Sequence, residues 1–197
     1  MVPTHNNAKN YRYEYNLQSI INQDYKNYKI VIVDDASSDG TADLISIFLQ
    51  KSKLPKHRYV LVRNAQHMTA VPNINMAIKK HCSKDSIAVL VSGDDELLGK
   101  MVFKLLNVVY QTKQPGVAYT NHFFGKLHEN DFEKGYSRAY SLGEIKNKLY
   151  RFIGQKFGHM RTFPVSLFHE IKEEHMKYRD GRWVQATYDE TFILPML

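Results

Sequence analysis

Apolar residues along this chain follow two alternating rhythms. Short β-branched runs, YKIVIV at 28–33, RYVLV at 58–62 and SIAVLV at 86–91, are each followed by a segment of helical spacing: TADLISIFLQ, PNINMAIKKH and GKMVFKLLNVVYQ. Leu44, Ile47 and Phe48 share one helical face, Ile74, Ala77 and Ile78 a second, and Phe103, Leu106 and Tyr110 a third. Strands alternating with helices of this length predict an α/β domain around a mainly parallel sheet. The strand runs are continuously apolar rather than alternating, which predicts strands covered on both faces. VAYT at 117–120 is expected to continue the sheet.

Near Asn121 the rhythm breaks. HENDFEKGYS reads as a polar loop, SLGEIKNKLYRF as a short helix, and TFPVSLFHEIK as a helix entered through its proline. RDGRW carries a turn signal at Asp180 and Gly181, and YDETFILPML closes the chain as an apolar helix. Both ends read as cut. Only two residues precede Pro3, where a central strand has roughly five or six, and Leu197 arrives without a stop signal.

A length of 197 residues suits one domain with a proper core. An apolar fraction of 43% excludes disorder of the whole chain. The net charge of +7, from 27 basic and 20 acidic residues, favours anionic partners: nucleic acid, an acidic membrane surface or a phosphorylated small molecule. The basic residues form no dense run, so nucleic acid is not an expected partner. Cys82 is the single cysteine, which excludes an internal disulfide and a multi-cysteine zinc knuckle and fits a reducing compartment. No apolar stretch approaches the roughly 18 residues that span a bilayer, and MVPTHNNAKN lacks the apolar core of a signal peptide. A cytoplasmic protein without a transmembrane segment is expected, with a peripheral membrane contact left open.

The candidate chemistry lies in two acidic pairs. Asp34-Asp35 and Asp94-Asp95 each end a predicted strand, and in an open α/β sheet the ligand crevice lies beyond the carboxyl ends of the strands. Four converging carboxylates would repel one another unless a cation or hydrogen-bond donors compensate. A hard divalent ion, Mg²⁺ or Mn²⁺, is the natural compensation, and such ions bridge to substrate phosphates. The plain structural reading is helix capping, by Ser38 or Asp39 for the helix near Thr41 and by Asp95 for the one near Gly99. Two further readings stay open at this point. SSDGT approaches a phosphatase signature but has Ser37 at the nucleophile position. IVIVDDASSDG imitates the start of a receiver domain, although no Lys-Pro follows a late strand.

VPTHN at 2–6, LQSIINQDYKNYKIVIVDDASSDGT at 17–41 and VLVSGDDELL at 89–98 together resemble family 2 glycosyltransferases of the GT-A fold. HMTAVPNINMAI, LLNVVYQ, VAYTNH, HMRTF and YDETFILPML are similar to a branch acting on lipopolysaccharide and cell-surface glycans. The resemblance implies a Rossmann-like α/β fold in a single domain, with a nucleotide-binding half at 1–120 and an acceptor-side half at 121–197, and transfer of a sugar from a nucleotide-sugar donor, with UDP the expected nucleotide, to a glycan or glycolipid hydroxyl with inversion. It implies that Pro3, Thr4 and Asn6 line the nucleotide pocket and that Asp35 meets the uracil ring beside Asp34. It also implies that Asp94 lies near the ribose and that Asp95 binds the metal, with Ser92 where many members have another aspartate. The catalytic base falls on Asp189 or Glu190, with Asp189 in the better register; an N-capping acid would look the same. Arg161 is a candidate for a phosphate and His67 for the nucleotide pocket, and Trp183 could carry an acceptor sugar. A relic that binds nucleotide sugars without turning them over is the non-enzymatic alternative.

Overall fold

A computed structural model describes residues 1–126, 131–135, 137–154, 156–186 and 188–197; the side chains of Lys126, Asp131, Phe132, Arg151, Tyr188 and Asp189 also lie outside the description. In chain order the elements are β1 (Val2–Thr4), α1 (Arg12–Ile21), β2 (Ile30–Asp34), α2 (Thr41–Lys51), β3 (Tyr59–Arg63), α3 (Ala70–His81), β4 (Ile87–Leu90) and α4 (Val102–Lys113). There follow β5 (Ala118–Tyr119), β6 (Phe123–Lys126), β7 (Asp131–Lys134), α5 (Leu142–Lys146), β8 (Arg161–Pro164), α6 (Val165–Phe168) and α7 (Tyr188–Met196). They group into two compact units, residues 1–83 with 91–115, and residues 84–90 with 116–197.

The first unit is built on a parallel sheet of order β1-β2-β3. Residues 30–34 are all buried, because β2 has a strand on either side and helices over its faces; Val31 and Val33 pack with Ala77 of α3. β3 keeps only partial burial and β4 alternates, with Ile87 37% exposed, so burial of both faces holds for β2 alone. Register aligns Thr4, Asp34 and Arg63 at the carboxyl ends of the three strands. On the other side of β1 runs the segment after β4: the Val91 and Gly93 N–H groups donate to the Met1 and Pro3 carbonyls at 3.0 and 2.9 Å. Two of the predicted helical stripes hold, with Ile74, Ala77 and Ile78 fully buried and Phe103 the most buried residue of α4. The α2 stripe is displaced: Thr41, Ile45 and Leu49 are buried while Ile47 is 47% exposed. Five large apolar residues crowd that helix, and its phase is set by Thr41, whose side chain and N–H are tied to Asp39 and whose Oγ1 also accepts from the Asn7 N–H.

In the second unit β8 lies between β4 and β5, antiparallel to both. The sequence predicts a helix over TFPVSLFHEIK, but Arg161–Pro164 is strand and only Val165–Phe168 is helical. A residue that precedes proline is driven out of the α region, so Phe163 cannot start a helix and extends instead. Phe163, Phe168 and Phe192 are fully buried and successive rings lie 5.7 and 5.4 Å apart, which anchors α7 in this core. The predicted polar loop at HENDFEKGYS contains a strand, β7, paired antiparallel with β6; His128, Glu129, Asn130 and Tyr136 lie outside the described residues. Strand formation there depends on the pairing partner more than on composition. The RDGRW turn is present, with Gly181 at φ 83°. No helix among the described residues is long and apolar enough to cross a membrane.

Candidate functional site

The carboxyl ends of β1 and β2 are joined by a dense set of loop-to-loop bonds. The Asp35 N–H donates to the Thr4 carbonyl at 2.9 Å, and the His5 Nδ1 is 2.8 Å from the Asp35 carbonyl oxygen. Asn6 bonds the turn after Asp35 twice, its N–H donating to Ser37 Oγ and its Oδ1 accepting from the Ser38 N–H, both at 2.9 Å. The Ala8 N–H donates to Asp39 Oδ2 at 3.0 Å, and Asp39 Oδ1 accepts from the Thr41 N–H, although the N-cap position of α2 is Gly40 rather than the expected Ser38 or Asp39. Asn6, Ala36 and Thr69 all have positive φ, at 52°, 56° and 74°. Left-handed backbone at residues other than glycine costs about 1–3 kcal/mol each and gathers where function constrains the chain.

Asp34 and Asp35 are 2% and 4% exposed. Asp34 Oδ2 accepts from the Ser37 N–H at 3.2 Å, while its buried Oδ1 has no hydrogen-bond partner among the described residues. Asp35 is the opposite case. Its Oδ1 accepts from Asn64 Nδ2 at 2.9 Å and the Met68 N–H at 2.8 Å, and its Oδ2 from the Thr69 N–H at 2.8 Å with His67 Nδ1 at 3.0 Å. Burial pushes the Asp35 carboxyl up, but the Asn73 side chain, the Met68 N–H, Asn64 and the Thr69 N–H together outweigh it and hold it below the ordinary aspartate value. The His67 ring lies 4.5 Å from that of His5 and stays half exposed. One carboxylate thus fixes the whole 64–69 loop.

The second acidic pair is held by α1, a helix that the strand-and-helix reading leaves unassigned. Tyr13, Asn16, Leu17 and Ile20 form its buried face, at the i, i+3, i+4, i+7 spacing that sequence could have revealed. Asn16 Nδ2 donates to the Ser92 and Asp95 carbonyls at 2.8 and 2.7 Å, and the Leu97 N–H donates to Ser19 Oγ at 3.0 Å. Gln23 continues the row, bonding the Gly99 carbonyl and the Phe103 N–H. Asp95 does not cap a helix; α4 begins at Val102 and its N-cap, Met101, makes no side-chain cap bond. Asp94 is half exposed, with Arg12 Nη1 at 3.8 Å.

Gly93 is required by contact rather than by backbone angle: a Cβ there would lie 2.6 Å from both Cβ and Oγ1 of Thr4 and 2.8 Å from Asn7 Nδ2. Gly93→Ala is expected to destabilise the fold by about 1–3 kcal/mol, because Thr4 and Asn7 are themselves buried and bonded. Urea unfolding measures the loss, and an unchanged midpoint would show that the loop is free to move off β1.

The four carboxylates do not form one cluster, contrary to the expectation of convergence. Among the described residues no three of His, Cys, Asp and Glu come together as a metal site. Asp35 is compensated by N–H donors. At the SGDD loop the available donors are hard oxygens, the carboxylates of Asp94 and Asp95 and the hydroxyl of Ser92. Such a set suits Mg²⁺ or Mn²⁺ held jointly with water and phosphate oxygens.

The second unit carries the remaining candidates. Arg161 is 3% exposed on β8, opposite Leu90 and Tyr119, with its guanidinium 5.9 Å from the centre of the Phe157 ring. Glu190 stands in the first turn of α7 and borders a cavity of ≈ 220 Å³ with His175, Thr191 and Pro195. The Asp189 side chain lies outside the described residues. Trp183 has the Lys177 ammonium 4.7 Å from its ring centre.

Comparison with solved structures gives the class. The chain superposes on residues 1–349 of S. aureus TarS with a TM-score of 0.65 at 15% identity, covering 99% of this chain and 53% of that one. The same protein in complex with UDP-GlcNAc matches at 0.61 and 15% identity. A mannosyltransferase, PcManGT from Pyrobaculum calidifontis, in complex with GDP-Man and Mn²⁺, matches at 0.58 and 18% identity, over 85% of this chain and 44% of that one. The fold is GT-A, and the chain spans about half the length of the solved structures it matches. No curated protein matches it. The sequence model of glycosyl transferase family 2 matches residues 1–172, so the chain belongs to that family.

Proposed function

We propose that this protein transfers a sugar, with inversion, from a UDP-linked donor to a hydroxyl of a glycan or glycolipid. The observation that carries the reading is the SGDD loop laid against β1 and fixed by Asn16 and Ser19, which holds Asp95 in a set geometry. Pro3, Thr4, Asn6 and the Asp35-anchored loop with His67 form the nucleotide side, and Asp94 serves the ribose. Asp95 would hold Mn²⁺ or Mg²⁺, which when bound supplies positive charge to the leaving diphosphate. Arg161 is assigned to phosphate. Asp189 or Glu190 takes the proton of the acceptor hydroxyl as its oxygen bonds the anomeric carbon and the bond from that carbon to the diphosphate breaks. A cytoplasmic setting belongs to this reading and is supported by the lone Cys82. The complexes of the structural relatives with UDP-GlcNAc and GDP-Man support a nucleotide-sugar donor.

The test is a titration of UDP, GDP and their sugars with and without Mn²⁺, followed by assay of nucleotide release. Metal-strengthened binding of UDP over GDP, with turnover, is the expected result. Binding without turnover would mark a nucleotide-sugar-binding relic, and no binding of any nucleotide would overturn the reading.

A further inference from the structure

Between Ser141 and Gly154 the second unit exposes its apolar side chains to water. Leu142 is 76% exposed, Ile145 45%, Leu149 39%, Phe152 85% and Ile153 40%. Scattered apolar residues are normal on a surface, but five exposed within one short segment concentrate apolar surface of the kind that marks an interaction site. A capping box closes α5, with the Ser141 side chain accepting from the Glu144 N–H and the Glu144 carboxylate from the Ser141 N–H. Lys148 then turns left-handed at φ 51°, a short 3₁₀ turn follows, and Tyr150 is buried beneath it at 8% exposure. Five large apolar residues on either side of a buried tyrosine therefore stay outside, and Phe152 most of all.

Charge decides what fits them. From Arg138 to Lys156 the sequence carries Arg138, Lys146, Lys148, Arg151 and Lys156 against a single acid, Glu144. That acid is already used: it is paired with Lys156 at 2.5 Å and held down to about 2 by that ammonium and the Ser141 N–H. Lys146 and Lys148 are left exposed beside the apolar group. Apolar side chains rimmed by cations match the boundary of an anionic bilayer, where acyl chains lie just below a layer of phosphates.

We propose that residues 141–154 form a docking surface for an anionic lipid bilayer, with Leu142, Ile145 and Phe152 entering the headgroup boundary and Lys146 and Lys148 facing lipid phosphates. The proposal rests on the glycolipid-acceptor reading for its purpose, since a lipid-linked acceptor must be met at a membrane. Its test is separate from the nucleotide chemistry.

The experiment is flotation of the full chain with vesicles of phosphatidylcholine alone and with 30 mol% phosphatidylglycerol, at low and at high salt, the lipid compositions being chosen at roughly physiological anionic charge. Wild type is expected to float with the anionic vesicles and to be released by salt. Lys146→Glu with Lys148→Glu is expected to weaken binding by at least roughly five-fold per lysine, and Leu142→Ser with Phe152→Ser by at least about ten-fold. Because all four side chains are exposed, both double variants should keep the wild-type melting temperature; the lysine variant stands as the test should the apolar one unfold. Absence of flotation with anionic vesicles overturns the proposal, as does flotation indifferent to both variants. Self-association abolished by Leu142→Ser with Phe152→Ser, without lipid binding, overturns it in favour of a protein interface. Nucleotide binding measured in the same samples separates the two readings: its loss with intact flotation strikes sugar transfer alone, and the converse strikes docking alone.

Discussion

Asp95→Ala is expected to lower metal-dependent turnover of the donor by about two to four orders of magnitude while leaving the fold intact. The structure separates the carboxylate from the loop that carries it. The Asp95 N–H donates to the Ser92 carbonyl at 3.0 Å, and the Asp95 carbonyl accepts from Asn16. Both bonds belong to the backbone and survive truncation of the side chain. Asp94→Ala should also leave the fold intact, since Asp94 is half exposed and its pairing with Arg12 at 3.8 Å is of the kind worth about 0–1 kcal/mol. Nucleotide release followed against Mn²⁺ concentration, with melting curves as the fold control, tests both. Full metal-dependent activity in Asp95→Ala would reject the assignment of the metal to that residue.

The second large effect is structural. Asp35→Ala should cost about 3 kcal/mol, because it leaves the Met68 and Thr69 N–H groups and the Asn64 amide without their buried acceptor. Thr69 sits at φ 74°, and the anchor that compensates this conformation would be gone. Acid should reproduce part of the loss in wild type. The folded-state carboxyl lies below its ordinary value, so its contribution is complete above the unfolded value, roughly 4, and disappears as pH falls through the folded one. Urea midpoints across that range should therefore fall more steeply for wild type than for Asp35→Asn. Parallel pH profiles would show that the carboxylate is not what holds the loop.

Much of the first unit was legible because its rules are local. A five-residue apolar run between turn-formers has few alternatives to a central strand, and Ile74, Ala77 and Ile78 could face only one way. α2 shows the limit: with apolar residues on several faces, its orientation came from Thr41 and Asp39, polar residues that a hydrophobic count passes over. The second unit was harder because β8 is defined by β4, far earlier in the chain, and because β7 depends on pairing with the adjacent β6, which its polar composition does not announce. Only the proline of TFPV gave a local warning there.

The site was legible as motifs and less so as geometry. The acidic pairs and VPTHN were readable from residue order, and the family they suggest is the one whose model matches residues 1–172. Sequence could not say that Asp35 turns into its own chain and is satisfied by backbone donors. It did hold a clue to Asn16, Ser19 and Gln23: polar side chains on or beside the buried stripe of a helix need partners, and here those partners are carbonyls and N–H groups of the loop that bears Asp95.

The central position of β8 also constrains the order in which the chain can fold as it is synthesised. Leu90 is paired with Arg161, roughly seventy residues later, and Tyr119 with the same residue from the other side. Until the ribosome has delivered residue 164, β4 and β5 lack the strand that joins them, whereas β1, β2 and β3 can pair once residue 63 has emerged. The nascent protein thus acquires its parallel sheet early and carries β4, and later β5 as well, unpaired until β8 is made. That interval is when a chaperone has most to shield.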